Sequence, residues 1–250
     1  MPLQTLPIGR PPTPPSESPR AKLRHKLRGR MPVLGINPEF AAAELAAFCA
    51  QQGADLLFID CEHGGPDMET VGAMRLAAHA HGAAAVVRPW TRDAGVLRRF
   101  IDAGIDGFIH PDVESPEELR ALHRLVVDCD PPGVQDFLHI VLLESEPAIG
   151  RVEDFCATGL VDAFLVGTGD LAVSMGLSRR GDHASVRALA FSVLERAQAA
   201  GVSAGAPVVR YGAQATFAAG GNLVMLFARD LLRSAISAEC AGLQAGGAGR

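Results

Sequence analysis

From Pro32 onward the chain alternates between two kinds of stretch. Short apolar runs rich in Val, Ile, Leu and Ala fall at "PVLGI" (32–36), "DLLFID" (55–60), "AAVVRP" (84–89), "GFIH" (107–110), "HIVLLE" (139–144), "DAFLVG" (162–167), "VSAGAP" (202–207) and "LVMLFA" (223–228). Between them lie Ala/Leu/Arg-rich stretches with helical spacing, near 39–52, 67–81, 93–103, 115–128, 146–157, 184–200, 210–219 and 229–242. This alternation predicts parallel strands joined by crossover helices. Eight such units over about 220 residues suit an α/β protein closed as a (β/α)8 TIM barrel better than an open sheet. No G-x-G-x-x-G or G-K-[ST] turn opens any of the helices, so a nucleotide-binding sheet has little support. In a barrel, chemistry belongs at the strands' C-terminal ends.

Composition and charge divide the chain. Of 250 residues, 48% are hydrophobic, enough for one large core. Residues 1–30 carry seven Lys or Arg against one acid, so this head is +6 while the remainder, from a total of −5, is −11. The head is also dense in proline ("RPPTPPSESP") and has no aromatic residue, which predicts a disordered basic leader over 1–30 rather than a nucleic-acid or membrane-surface contact. The barrel is then expected over 31–243 and a flexible tail over 244–250. No run approaches the ~18 apolar residues of a membrane span. The five cysteines are scattered, odd in number and without a C-x-x-C pair, which argues against a disulfide framework or structural zinc and for a cytoplasmic home.

Several strand ends deliver ionisable groups. Asp60, Glu62 and His63 follow the second strand, Arg88 stands on the third, Glu144 closes the fifth, and Asp170 lies just past the sixth. Each alone is an ordinary cap, surface ion or turn residue; a closed barrel brings them to one rim. Glu144 and Asp170 would be two hard oxygen ligands from adjacent strands, a sparse set suited to an open Mg²⁺ or Mn²⁺ site. The Gly-rich turn "GTGDLA" at a helix start adds N–H groups fit for a carboxylate or phosphate. Cys61 points away from Asp60 and Glu62 along the strand and is expected to pack.

These residues resemble the HpcH/HpaI class II aldolases of the pyruvate/phosphoenolpyruvate barrel superfamily. The resemblance is carried by "IDCEHGG", "VVRPW", "LLESEPAI", "VDAFLVGTGDLAVSMG" and "RRFIDAGIDGFIHPDVESPEELR", and runs from about Gly35 to Ile236. It implies a divalent cation (Mg²⁺, Mn²⁺ or Co²⁺) on Glu144 and Asp170, pyruvate or its enolate addressed by Arg88, and a carboxylate held by the Gly169 and Asp170 N–H groups, with Glu62 alongside. His63, held by Asp60 or by Asp102, would transfer protons. The implied reaction cleaves or forms a 4-hydroxy-2-oxo acid, the partners being pyruvate and an aldehyde. An oxaloacetate-type decarboxylase or a citrate-lyase-like acyl-CoA lyase, with the basic leader clamping CoA, uses the same site. A barrel that has lost catalysis and only binds is the third alternative.

The chain departs from its relatives in places. Leu142 stands where they commonly carry Gln, His110 and Asp112 occupy a segment read as extra substrate contacts, as a second proton relay or as a solvated turn, and Ala228 and Arg229 leave Asp230 as the expected cap of the last helix. That helix, "RDLLRSAISAECAGL", spreads apolar positions around its surface, which predicts a homo-oligomer, trimeric or hexameric, with this helix in the interface.

Overall fold

The computed structural model describes residues 18–129, 133–207 and 211–247. Eight parallel strands close into a barrel in chain order, β1 (Val33–Asn37), β2 (Leu56–Asp60), β3 (Ala84–Arg88), β4 (Gly107–His110), β5 (Leu138–Leu143), β6 (Ala163–Val166), β7 (Ser203–Pro207) and β8 (Leu223–Phe227), with β8 pairing back to β1. The crossovers are α2 (Ala43–Gln51), α3 (Met68–Ala80), α4 (Ala94–Asp102), α5 (Pro116–Cys129), the short pair α6 (Glu146–Gly150) and α7 (Val152–Ala157), α8 (Thr168–Ser174) with α9 (Ala184–Ala199), and α10 (Ala213–Ala218); α11 (Ala228–Gly247) follows β8. The fold is thus the expected (β/α)8 barrel.

Strand periodicity sorts the side chains into two layers. Leu56, Phe58, Ala84, Val86, Ile140, Leu142 and Leu165 fill the barrel interior, while Leu57, Ile59, Val87, Val141, Leu143 and Val166 pack against the helices. Continuing the inward series by one step at each C-terminal end gives Asp60, Arg88 and Glu144. Gly35 is required by this interior layer, because a Cβ there would collide with Met225 Sδ.

The expected disordered leader is corrected over its described part. Residues 1–17 lie outside the described residues, but Pro19–Arg28 forms α1, capped by Ser18, whose Oγ accepts the Ala21 N–H. Its Leu23 and Leu27 are each 1% exposed and join the interior layer at the barrel's N-terminal mouth. The reason is electrostatic as well as apolar. Asp55, Asp106, Asp162 and Asn222 immediately precede β2, β4, β6 and β8, and each accepts the N–H of the second residue of the preceding strand: Leu34 at 3.1 Å, Ala85 at 2.8 Å, His139 at 2.9 Å and Ala204 at 3.2 Å. Three buried or half-buried carboxylates need cations. Helix α1 supplies them: Lys26 to Asp55 at 2.6 Å, Arg20 to Asp106 and Arg24 to Asp162, both at 3.2 Å. The uncharged member, Asn222, instead donates to the Met31 carbonyl at 2.9 Å.

The C-terminal boundary is also corrected. Helix continues to Gly247, past the expected barrel end at 243, and residues 248–250 lie outside the described residues. No helix among the described residues is long and apolar enough to cross a membrane.

Candidate active site

At the strands' C-terminal rim a cavity of about 240 Å³ opens, walled by His63, Arg88, Glu144, Thr168, Gly169, Asp170 and Asp230 over an apolar floor of Phe58, Leu142, Leu165, Met225 and Phe227. Five of the expected site residues, His63, Arg88, Glu144, Gly169 and Asp170, therefore share one space. Asp60 and Glu62 stand directly behind Arg88.

Arg88 is 8% exposed and firmly placed. Its Nε donates to Asp60 Oδ1 at 2.9 Å and its Nη2 to Asp60 Oδ2 at 2.6 Å, while Nη1 lies 2.9 Å from Glu62 Oε2. The guanidinium carbon sits 5.5 Å from the Phe58 ring centre. Burial pulls the Arg88 pKa down, but Asp60, Glu62 and Glu144 outweigh it and leave it above the ordinary value. Burial likewise pushes the Glu62 carboxyl up, against the pull of Arg88.

Glu144, 9% exposed, accepts the Asp112 N–H on Oε1 at 2.8 Å. Gly167 makes room for it: a Cβ there would lie 3.0 Å from Glu144 Oε2. Burial raises the Glu144 pKa to about 7, and the charges of Asp112, Asp170 and Glu62 add to the rise against the Asp112 hydrogen bond. Acid oxygens thus accumulate around a dry carboxyl group. Glu144 and Asp170 offer hard carboxylate oxygens of the kind that suit a divalent cation, although no group of three or more His, Cys, Asp or Glu is gathered for a metal among the described residues. In this structure Asp170 is engaged by Arg179 instead, Nη1 to Oδ2 at 2.9 Å and Nη2 to Oδ1.

Three expectations are corrected. Asp102 is exposed at the C-terminal end of α4, which returns to the start of β4, so it lies at the opposite end of the barrel from His63. Asp60 does not hold the His63 ring either. Its carboxylate serves Arg88 and the main-chain N–H groups of Glu62 and His63, at 3.1 and 3.2 Å. Asp230 lies inside the first turn of α11, 2.9 Å from Arg233, and the Arg229 N–H is capped by Glu39 Oε2 at 2.8 Å.

His110 is buried outside the cavity wall, whereas Asp112 is exposed in a turn at 111–112 and lines a neighbouring pocket with Glu144 and Asp170. His110 faces outward from β4, and its Nε2 meets His139 Nδ1 at 3.0 Å; His139 Nε2 then meets His123 Nδ1 of α5 at 3.0 Å. Cys61 packs as expected in the outer layer, its thiol pushed up to about 12 by burial. Sequence reading missed Arg179 and Glu39, neither of which falls on a strand end.

A closed parallel barrel with fixed acids and a braced guanidinium at this rim defines an enzyme that works on a small polar substrate. The family model described as HpcH/HpaI aldolase/citrate lyase matches residues 39–231, and the chain belongs to that family. It is an enzyme of the carbon–carbon lyase type. A hydroxypyruvate/pyruvate aldolase of Sagittula stellata is 26% identical over 212 residues, spanning 75% of this chain and 83% of its own. A 5-keto-4-deoxy-D-glucarate aldolase of Salmonella paratyphi C is 30% identical over 180 residues, spanning 62% of this chain and 70% of its own. Among solved structures, an HpcH/HpaI aldolase/citrate lyase family protein from Burkholderia cenocepacia superposes with a TM-score of 0.80 at 25% identity, over 89% of this chain and 99% of that one.

Proposed function

We propose that this chain is a divalent-metal-dependent aldolase that cleaves or forms a 4-hydroxy-2-oxo acid through the enolate of pyruvate. The observation that carries the reading is the facing of a carboxylate-braced Arg88 and the paired acids Glu144 and Asp170 across one small cavity. A cation held by Glu144 and Asp170 would supply Lewis-acid polarisation of the keto group.

The chain's own residues do the rest. Breaking a carbon–carbon bond beside a carbonyl develops negative charge on that oxygen, and Arg88 places fixed N–H donors for it without reorganisation at the moment of reaction. Asp60 and Glu62 keep the guanidinium in that pose. The first-turn N–H groups of Gly169 and Asp170 have no partner within α8 and would receive the substrate carboxylate. His63 stands at the exposed edge of the cavity, where it would take or return the proton of the aldehyde's hydroxyl. The apolar floor suits the hydrocarbon part of a small oxo acid. In the described part of the basic head, α1 spends Arg20, Arg24 and Lys26 on Asp106, Asp162 and Asp55 at the far mouth, which takes these three away from a CoA phosphate.

Exchange of pyruvate methyl protons in deuterium oxide tests this reading, with Mg²⁺, Mn²⁺ or Co²⁺ and with a chelator. Exchange that requires a cation supports it. No exchange with any of the three overturns it.

We further infer a homo-oligomer, trimeric or hexameric. Every residue of α11 from 231 to 244 is exposed, including Leu231, Leu232, Ile236 and Leu243 at 50%, 50%, 61% and 77%. A helix that leaves its own barrel with apolar positions on several sides is a surface for another copy.

A further inference from the structure

Arg179 lies in the turn between α8 and α9 and grips Asp170 with both terminal nitrogens, one to each carboxylate oxygen. A planar guanidinium in this fork geometry engages both oxygens of the carboxylate at once. Its stem crosses the start of α8, where a Cβ on Gly169 would touch Arg179 Cγ at 3.4 Å. The carboxylate proposed to hold a cation is therefore covered by a side-chain cation. Glu144, the other proposed holder, accepts a main-chain N–H and, among the described residues, no guanidinium.

The two occupants of Asp170 exclude one another. Both oxygens are taken by Arg179, and a dication placed there would repel the guanidinium at short range. The exchange needs little of the fold. The Arg179 side chain is 52% exposed, so it can leave by bond rotation, and an ion pair this exposed is weak enough to yield. Its backbone anchors Arg179 beside Gly169, a residue of the cavity wall, within reach of an anionic substrate there.

We infer that Arg179 is a resident counter-ion of the cation site: it occupies Asp170 until a divalent cation arrives, gives it up on binding, and then serves the substrate's carboxylate. This rests on the metal-dependent reading above. Its consequence is reciprocal coupling, because whatever frees Arg179 from Asp170 favours the substrate, and the substrate in turn favours the cation. Arg179 would thus be a specificity residue for oxo acids over neutral ketones, acting only after the metal is in place.

The test is calorimetric titration of the full-length chain with Mn²⁺, and of the Mn²⁺-loaded chain with pyruvate, in the wild type and in Arg179→Gln, Arg179→Lys and Asp170→Asn. Removing the competitor should tighten Mn²⁺ binding in Arg179→Gln by about two- to fivefold, the range an exposed ion pair can oppose. Arg179→Lys, which keeps charge without the fork, should fall between. Pyruvate should bind Mn²⁺-loaded Arg179→Gln about tenfold more weakly, within the usual range of coupling. Mn²⁺ affinity unchanged in Arg179→Gln, with binding abolished in Asp170→Asn, would overturn the role of Arg179 and leave the metal reading standing. Unchanged pyruvate affinity in Arg179→Gln would overturn it too. Mn²⁺ affinity unchanged in Asp170→Asn would overturn the metal reading itself.

Discussion

The main-chain N–H of Asp112 holds Glu144 Oε1 at 2.8 Å from a residue in the left-handed region, φ +53°. Arg92 clamps the same turn, donating to the carbonyls of Pro111 and Asp112 and pairing with Glu118 at 3.1 Å. The position of the central acid is therefore set by backbone shape rather than by a partner side chain.

Asp112→Gly keeps that N–H and relieves the left-handed strain, so stability should hold or rise by up to about 1 kcal/mol. Asp112→Val forces a β-branched residue into the same conformation and should cost about 1–3 kcal/mol. Urea denaturation of both variants checks this; equal midpoints would show that the turn is unstrained.

The three linked histidines give a pH dependence with a definite sign. Burial holds His110 down at about 3, with Arg92 adding to it, and holds His139 well below its ordinary value, with His110, His123 and Arg24 adding to it. Burial and Arg24 lower His123 as well. These rings take up protons less readily in the fold than in the unfolded chain, where they do so near pH 6.5. Their stabilisation is full above about pH 6.5 and is lost as pH falls below it, for the buried His110 by up to about 1.4 kcal/mol per pH unit down to its folded value of about 3. Denaturation midpoints at pH 8, 7, 6 and 5 should fall only over the last steps, and a flat profile would contradict the chain of imidazoles.

Helix α1 should be indispensable. Leu27→Ala removes a side chain from the barrel interior and should cost about 2–5 kcal/mol. Arg24→Ala strands the buried Asp162 carboxylate and should cost about 3–5 kcal/mol. Thermal melts that move by less than about 2 °C for both would mean that the helix merely rests on the barrel.

Arg88→Lys keeps one positive charge but not the fork that Asp60 fills. Metal-dependent pyruvate exchange should fall by about 10² or more, with the fold retained. Activity within threefold of wild type would remove Arg88 from the chemistry.

Ile236→Glu combined with Leu243→Glu puts charge on the exposed side of α11 and should convert the oligomer to monomers at micromolar concentration, read by light scattering. An unchanged mass would place the contact elsewhere.

The barrel was legible because alternation along each strand reports its two faces. All eight runs fall within a residue of their strands, and continuing the inward positions leads to Asp60, Arg88 and Glu144. What periodicity could not report was pairing between distant segments. The head reads as proline-rich and charged, and Leu23 and Leu27, four residues apart, are too few to announce a buried face. The complementary signal was present in the acids before every second strand, Asp55, Asp106 and Asp162, but only the closed barrel brings them to one mouth. Asp102 was assigned through the resemblance alone, and the return of α4 to the start of β4 carries it to the other end of the barrel. Arg179 belongs to a polar turn in which nothing marks one arginine from the next.

The seating of α1 also bears on the order in which the chain can fold. Arg30 donates to the carbonyls of Val202 and Gly220, partners 172 and 190 residues away, and Ser203 donates back to the Leu27 carbonyl across 176. A segment made before all eight strands is thus completed by segments made after most of them. Such contacts repay their loop-closure entropy only after the intervening strands are in register, which makes docking of the N-terminal helix a late event that locks a nearly closed barrel. Until synthesis reaches β8, Leu23 and Leu27 have only part of their binding surface, and the nascent chain depends on other protection against association.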